Sequence, residues 1–542
     1  MAQVRQFDKR SGITYVYESV AHWDKEKRQS RAVRKLIGRL DPKTGEVHPT
    51  DGRGKRRRDM FPEEAASHAQ VPNIKRRFAG ATCLFDGICR TSGVLEDLRR
   101  CFPDEWDAIL SVAYYLIIED SNPLSRFGRW SATHRHPLGG DLPSQRSSEL
   151  FAGISEAQRM EFFRLQAKRR AEDEYWAFDS TSISSYSETL EQVKWGRNKD
   201  SEELPQINLA LLFGEKSGLP FYYRKLPGNV PDVKTVVSLL KETRVLGIEK
   251  MNLVFDRGFC SYENVNSLFT EHRKFVTGAN TSLAIVRKMI DETRPTMRDF
   301  ANYNDEHGVY AASQTASWDY ERKRPYKGDV LKEDRRIYVH LFFNPERAVE
   351  DETAFNRRMS ELRKELLSGT RVAGHEKAYE RFFAVAETPK RGVKVACNDA
   401  AMAEARARFG YFALLSNEVK DPIAALEIYR NKDVVEKAFS DIKGRLNCRR
   451  TLVSSERSLD GKLFVEFVAL IILSYIKKHM QDAKLFHRYT LQGLIDELDV
   501  IECLEVPGRD PIFGEVLQRQ VEIYEAMGVA APKTASLCVS GI

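Results

Sequence analysis

Hydrophobic and polar positions along the chain change period several times, and each change predicts an element. Residues 13–20 (ITYVYESV) and 31–40 (RAVRKLIGRL) read as strands, followed by the turn-rich DPKTGEVHP. Between 92 and 170 apolar residues recur at helical spacing, in SGVLEDLRRCF, DEWDAILSVAYYLIIED and SEAQRMEFFRLQAKRR. From 175 the pattern becomes α/β. EYWAFDSTSIS (174–184), INLALLF (207–213) and LPFYYRKL (219–226) are predicted strands, the last two joined by GEKSG. PDVKTVVSLLKETRVLG (231–247) predicts an amphipathic helix, and KMNLVFDRGF (250–259) a buried strand ending at Asp256. SYENVNSLFTEHR (261–273) is the next helix and KFVTGAN (274–280) a fifth strand, which makes the order βββαβαβ. Residues 285–404 come before the next strand, FGYFALLSN (409–417), and the helix-rich segment 422–446. They carry their own predicted strand, RRIYVHLFF, and helix, ETAFNRRMSELRKELL (352–367). Long structureless loops are uncommon inside compact domains, so this stretch reads as an inserted subdomain. The tail predicts two amphipathic helices, 490–499 and 514–526, around VPGRDP.

These shifts divide the chain into a basic β-rich module (1–77), a helical region (78–170) and the first part of an α/β core (171–284). An inserted β-rich subdomain (285–404), the second part of the core (405–480) and a helical C-terminal region (481–542) follow. The 542 residues, 42% of them hydrophobic, suffice for several packed cores and exclude a disordered or fibrous chain. The longest apolar run, LFVEFVALIILSYI (463–476), has 14 residues and contains Glu466, whereas a membrane span needs about 20. It reads as a buried helix, and no membrane partner is expected. MAQVRQFDKRSG lacks the apolar core of a signal peptide. The eight cysteines are scattered with no CxxC pair, which fits isolated thiols in a reducing cytosol, although a site from Cys83, Cys89 and Cys101 is conceivable. Charge is uneven. Residues 1–77 hold 19 lysines and arginines against 10 acidic residues, while the whole chain carries only +7. A basic front end on a near-neutral body fits a polyanion such as nucleic acid, or a solvated face.

Carboxylates carry the candidate chemistry. Asp179 lies mid-strand before Ser180 and Thr181, and Asp256 ends a strand with Gly258 two residues on. Carboxylates converging at one edge of a sheet suit hard, oxygen-seeking Mg²⁺ or Mn²⁺, though an Asp at a strand end also serves as a turn or helix cap. In YRNKDVVEKAFSDIKGRL (429–446), a continuous helix places Glu436 with Lys432 and Lys443 inside an arc of about 40°, whereas a new helix capped by Asn431 would leave Tyr429 on a preceding turn. Val435, Phe439, Ile442 and Leu446 form an apolar stripe beside them, with Asp433 and Asp441 turned toward solvent. A carboxylate at the rim of a core, flanked by cations, suits metal ligation beside a phosphodiester; a surface i,i+4 ion pair has the same spacing. Trp318, among cations in SWDYERKRPY, either packs or stacks on an unpaired base. His134 and His136 lie beside Pro137 in a loop with no third ligand evident, so no zinc site is assigned.

Tyr429, Lys432, Glu436 and Lys443, at intervals of two, three and six residues, resemble the Tyr-Arg-Glu-Lys signature of a large group of bacterial DDE insertion-sequence transposases. FDSTSIS and VFDRGF resemble the blocks holding that family's first and second catalytic aspartates, and LPGNVPDVKT (226–235) its PGN-x-x-D segment. The N-terminal YVYESVAHWDKEKRQSRAVRKLIGRLDPKTGEVHP resembles the start of a long subgroup. The resemblance covers most of the chain in the expected order. It implies a ribonuclease-H-like mixed α/β core interrupted by a β-rich insertion before the Glu helix. It also implies that Asp179, Asp256 and Glu436 are catalytic and bind two Mg²⁺ or Mn²⁺ ions. Tyr429, Lys432, Lys443 and Arg257 would then hold the backbone of the transposon end. The implied partners are double-stranded DNA, as transposon ends and as target, and a second copy in a synaptic homodimer. The implied location is the bacterial cytoplasm, at the nucleoid when bound to DNA. Lys432 departs from the signature: charge is kept, but the bidentate guanidinium fork is lost. Two other readings share these residues, a transposase-derived DNA-binding protein that no longer cleaves and a ribonuclease-H-like nuclease that cuts without joining.

Overall fold

The computed structural model describes residues 2–9, 11–24, 29–49, 74–120, 122–170, 174–248, 250–323, 329–388, 392–446, 448, 450–451, 453 and 455–533. The basic run expected at 52–59 lies outside them. The chain forms two compact units, Met1–Lys75 with Glu505–Pro511, and Arg76–Leu504 with Ile512–Ile542.

In the first unit, β1 (Ala2–Asp8), β2 (Ile13–Asp24), β3 (Gln29–Leu40) and β4 (Val47–Pro49) form an antiparallel sheet in chain order. The two strands expected at 13–20 and 31–40 are present and longer than their alternation suggested. A bulge at Val16/Tyr17 interrupts the β2–β3 register, and the Val16 side chain is fully buried.

In the second unit, strand β5 (Lys75–Phe78) leads into six helices: α1 (Gly80–Thr91), α2 (Val94–Cys101), α3 (Trp106–Ile118), α4 (Phe127–Thr133), α5 (Ser144–Gly153) and α6 (Glu156–Arg170). Every residue of α3 from Ala108 to Ile118 is buried, as expected of a helix apolar all round. The sheet then begins with β6 (Tyr175–Ser185), β7 (Gln206–Gly214) and β8 (Pro220–Pro227), an antiparallel run. Helix α7 (Thr235–Val245), β9 (Asn252–Phe255), α8 (Tyr262–Thr270) and β10 (Lys274–Ala279) follow. Both β9 and β10 run parallel to β6, and the spatial order is β8-β7-β6-β9-β10. A mixed sheet with this order is consistent with the expected ribonuclease-H-like core. Strand β7 reads as a near-continuous apolar run, as both-face burial requires, whereas β6 buries serines and a threonine in its second half and Asp179 breaks its burial.

The chain continues through α9 (Ala284–Thr293), β11 (Tyr303–Asn304), β12 (Val309–Lys323) and β13 (Val330–Phe343). These strands extend the central sheet, because β13 pairs along Tyr338–Phe343 with β16 (Tyr411–Ser416), itself the neighbour of β10. Between β13 and β16 stand α10 (Pro345–Ser368), α11 (Glu376–Phe382), the hairpin β14 (Phe383–Thr388) and β15 (Gly392–Cys397), and α12 (Asp399–Arg406). They bury a small core of their own around Met359, Leu362, Leu366, Tyr379, Phe383 and Met402.

Two short helices follow, α13 (Pro422–Asn431) and α14 (Asp433–Lys443), then β17 (Arg450–Thr451) alongside the end of β6. Helix α15 (Glu456–Asp482) packs against α3, α5 and β8. Its run Leu463–Ile476 is wholly buried, so the longest apolar stretch is a core helix. Among the described residues no helix is long and apolar enough to cross a membrane. Helix α16 (Leu491–Asp499), the antiparallel pair β18 (Glu502–Glu505) and β19 (Ile512–Phe513), and α17 (Gln518–Ala526) complete the chain.

Candidate active site

Strand register brings the first two carboxylates together. Phe178 of β6 is paired with Phe255 of β9, so the next residues, Asp179 within β6 and Asp256 just past the end of β9, stand side by side. Asp179 is mostly buried, and Lys199 Nζ lies 3.4 Å from its Oδ1. The same ammonium is 3.3 Å from Asp232 Oδ2, while Ser180 Oγ donates to Asp232 Oδ1 at 2.5 Å. Polar side chains on β6 and β7 hold the loop that delivers Lys199. Gln206 Nε2 donates to the Arg197 carbonyl at 3.1 Å, and Lys199 N donates to Ser182 Oγ at 3.2 Å. Burial raises the Asp179 carboxyl above its ordinary range, against the pull of Lys199.

The third element is two helices, not one. Asp421 caps α13, accepting from Ala424 N at 2.7 Å with Pro422 in the first turn, and the chain breaks at Lys432 before α14. Tyr429 therefore reaches the site from the last turn of α13, and its hydroxyl donates to Asp256 Oδ1 at 2.6 Å. Lys432 Nζ lies 3.7 Å from Asp256 Oδ1, 3.5 Å from Glu436 Oε1 and 5.0 Å from the centre of the Tyr429 ring. Burial opposes ionisation of Asp256, but the Tyr429 hydrogen bond and the Lys432 charge outweigh it and hold the carboxyl below its ordinary range. Gly278, placed by β10 beside this group, has a reason to be glycine. A Cβ there would lie 2.7 Å from the Tyr429 hydroxyl and 2.8 Å from Arg257 N.

On α14 the expected apolar stripe is buried, from Val435 and Phe439 to Ile442 and, just beyond, Leu446. Asp433 faces solvent as expected. Asp441 does not: it is buried against α15, with Lys477 Nζ at 2.6 Å from both oxygens, because α15 covers that face of the helix. Glu436 is exposed. Lys443, expected beside it, reaches to Asp200 Oδ2 at 2.6 Å, and Arg257 lies exposed next to Asp256. Asp179, Asp256 and Glu436 thus border one site, but their oxygens do not all fall within 4.8 Å of one another. Among the described residues only Glu306, His307 and Glu427 do so. There Arg430 lies 3.0 Å from His307 Nδ1 and donates to it, and His307 Nε2 lies 3.7 Å from Glu427 Oε1, so the cluster already holds a cation of its own. Trp318 packs, stacked on Tyr262 and donating to Asn266 Oδ1 at 2.9 Å. His134 and His136 bond to neighbouring hydroxyl, carbonyl and carboxylate groups, and Cys83, Cys89, Cys101, Cys260, Cys397 and Cys448 are free thiols.

A family model described as "Transposase DDE domain" matches residues 171–472, more than half of the chain. The chain belongs to this DDE transposase family. The match contains all three carboxylates that the strand and helix patterns singled out. No curated protein matches the chain. Among solved structures, the piggyBac transposase synaptic complex with hairpin DNA, determined by cryo-EM, is similar over 80% of this chain and 77% of its own, at 10% identity and a TM-score of 0.34. At that level the likeness adds nothing to the assignment.

In this DDE-domain chain three participants escaped the sequence reading: Ser180, Lys199 and Asp232. Asp232 is the acid of the PGN-x-x-D segment, so a signal for it existed. Lys199 has no local signature. Only the fold brings it to Asp179.

Proposed function

We propose that this protein is a metal-dependent DNA transposase of the bacterial insertion-sequence group with the Tyr-Arg-Glu-Lys signature, Lys432 standing for the arginine. It would bind the terminal inverted repeats of its element, cut there and join the freed end to target DNA. The observation that carries the reading is the juxtaposition of Asp179 and Asp256 by strand register, with Glu436 tied to Asp256 through Lys432. The donor set is all carboxylate oxygen, which fits Mg²⁺ or Mn²⁺, and two lysine ammoniums already lie against these acids where positive charge is favoured. Asp179, Asp256 and Glu436 would hold two such ions. Bound there, divalent cations supply activation of the attacking oxygen and stabilisation of the leaving one.

The chain's own residues do the rest. Tyr429 fixes the orientation of Asp256 through its hydroxyl. Lys432 neutralises Asp256 and Glu436 in the free protein, and turns to the DNA backbone when a phosphate enters. Arg257 and Lys443 extend the same phosphate contact. The basic 1–77 module and the helical 78–170 region bind the ends, with affinity that falls as salt rises. Two copies pair through the C-terminal helices in the synaptic complex, at the nucleoid of the bacterial cytoplasm.

The test is incubation of the full chain with DNA carrying the sequences that flank its gene, in Mg²⁺, in Mn²⁺ and in EDTA. Metal-dependent nicking at the end followed by a strand-transfer product is expected. Nicking without joining would make the protein a nuclease, and binding without nicking a transposase-derived DNA-binding protein.

A further inference from the structure

A cleft of about 660 Å³ opens directly from the proposed catalytic edge, bounded at one end by Asp256, Arg257 and Tyr429. Its far wall is built by α10, α12 and the start of β16, and includes Arg347, Arg408, Phe409 and Phe412. A second cleft of about 490 Å³ shares Phe409 and continues past Arg298, Phe343 and Arg406. Together they make one track leading away from Asp256.

Arginine and aromatic side chains alternate along it. Arg347 lies over the half-buried Phe412 ring, 5.5 Å from its centre, and Arg406 over half-buried Phe355 at 6.0 Å. Arg298 lies over Phe343 at 4.3 Å, but that ring is itself buried, so the pair offers only its arginine. Phe355 in turn contacts Phe409 at 5.3 Å. Acidic groups are present but fewer. Asp351 lies 3.9 Å from Arg347 and also accepts from Gly410 N, Glu404 pairs with Arg408, and Glu352 borders the second cleft. Each arginine carries five donors, so one carboxylate contact leaves others for a phosphate. The rings matter for the kind of nucleic acid. A duplex presents phosphates but hides its base faces, whereas an unpaired strand offers both to a surface of cations and rings.

We propose that this track, from Arg257 through Arg347 and Phe409 to Arg406, binds unpaired DNA strand running from the scissile phosphate. The proposal rests on the functional reading above for its substrate, but not on turnover. Base contact passes to this surface from Trp318, which is buried against Tyr262.

The test is fluorescence anisotropy of a labelled oligodeoxythymidylate of about 10 nucleotides with the full chain in EDTA, where cleavage plays no part. Arg347→Ala and Arg406→Ala should each weaken binding about three- to fivefold, and the double variant more than about tenfold. The salt dependence should also flatten by about 0.7 in log–log slope for each phosphate that is no longer neutralised. Arg347→Lys, which keeps the charge, should retain more affinity than Arg347→Ala. Melting curves establish that each variant is folded, and a folded double variant that binds like the intact chain overturns the track. Equal competition by a blunt duplex of the same length overturns its preference for unpaired strand. If the arginine variants lose the oligonucleotide while the intact chain never cuts DNA, the track stands and the transposase reading fails; cutting with unaltered oligonucleotide binding gives the reverse.

Discussion

Asp179 within β6 and Asp256 at the end of β9 stand at the same level of adjacent parallel strands, and each has a lysine close by, yet their surroundings push them in opposite directions. Asp179 has Lys199 at 3.4 Å and the amide of Ser180 at 2.7 Å, and burial still raises its carboxyl. Asp256 has Lys432 at a slightly longer 3.7 Å, but also accepts the Tyr429 hydroxyl at 2.6 Å, and its carboxyl is lowered. Proximity of a cation is therefore not what separates them. The hydroxyl hydrogen bond from Tyr429, which Asp179 has no counterpart to among the described residues, and easier access to solvent are. Asp256 thus holds its charge through Tyr429 and Lys432 together, while Lys199 alone does not offset the burial of Asp179.

The largest effect should come from removing either member of the pair or the third carboxylate, Glu436. Asp179→Asn, Asp256→Asn and Glu436→Gln should each lower end cleavage by about 10³-fold or more with folding intact, measured as kcat on end DNA. Next is the cation between two of the acids. Lys432→Ala should reduce kcat/KM by about 10- to 100-fold, and Lys432→Arg should restore or exceed the original value through its bidentate fork. A smaller effect sharpens the comparison. Tyr429→Phe removes the hydrogen bond that lowers Asp256, so the acid limb of the pH–rate profile, where carboxylates must ionise, should move to higher pH. Lys199→Ala should move it the same way through Asp179, and an unmoved limb in both would dissolve the contrast. Gly278→Ala crowds the Tyr429 hydroxyl and should cost about 1–3 kcal/mol in denaturant unfolding.

A separate effect, on stability away from the site, is set by pH. His340, buried on β13 between Ser313 and the Val419 carbonyl, is lowered by burial to about 4 from 6.5. The unfolded chain binds the proton more tightly, so stability is complete above pH 6.5 and lost as pH falls toward 4. The loss should reach about 3 kcal/mol. His136 behaves alike, also lowered to about 4, so His340→Gln should flatten part of that slope and leave the rest.

Much of this was legible from spacing. The βββαβαβ order, the strand ending at Asp256 and the buried stripe of α14 follow from periodicity, because period directly reports which face is covered. Other features depended on how separate elements meet. Asp441 looked solvent-facing because a helical wheel shows one helix and not α15 packed against it. The break at Lys432 was legible in part: an uninterrupted wheel fitted the same residues, but Asn431 is a residue type that caps helices, and the two helices with Tyr429 on the earlier one follow from a break there. Strands β12 and β13 carried a strand pattern, but nothing local says that β13 joins the sheet through β16. Lys199 is the clearest case, a loop residue whose position is set by Ser182 and Gln206 on the two strands that its loop connects.

The most direct measurement is Mn²⁺ binding, followed by electron paramagnetic resonance, on the intact chain with end DNA and on its Asp179→Asn and Asp256→Asn variants. The account predicts saturable binding that each substitution weakens by about tenfold or more, as loss of a carboxylate ligand should. Mn²⁺ binding that is unchanged in both variants would contradict the assignment of these two carboxylates as the cation-holding pair.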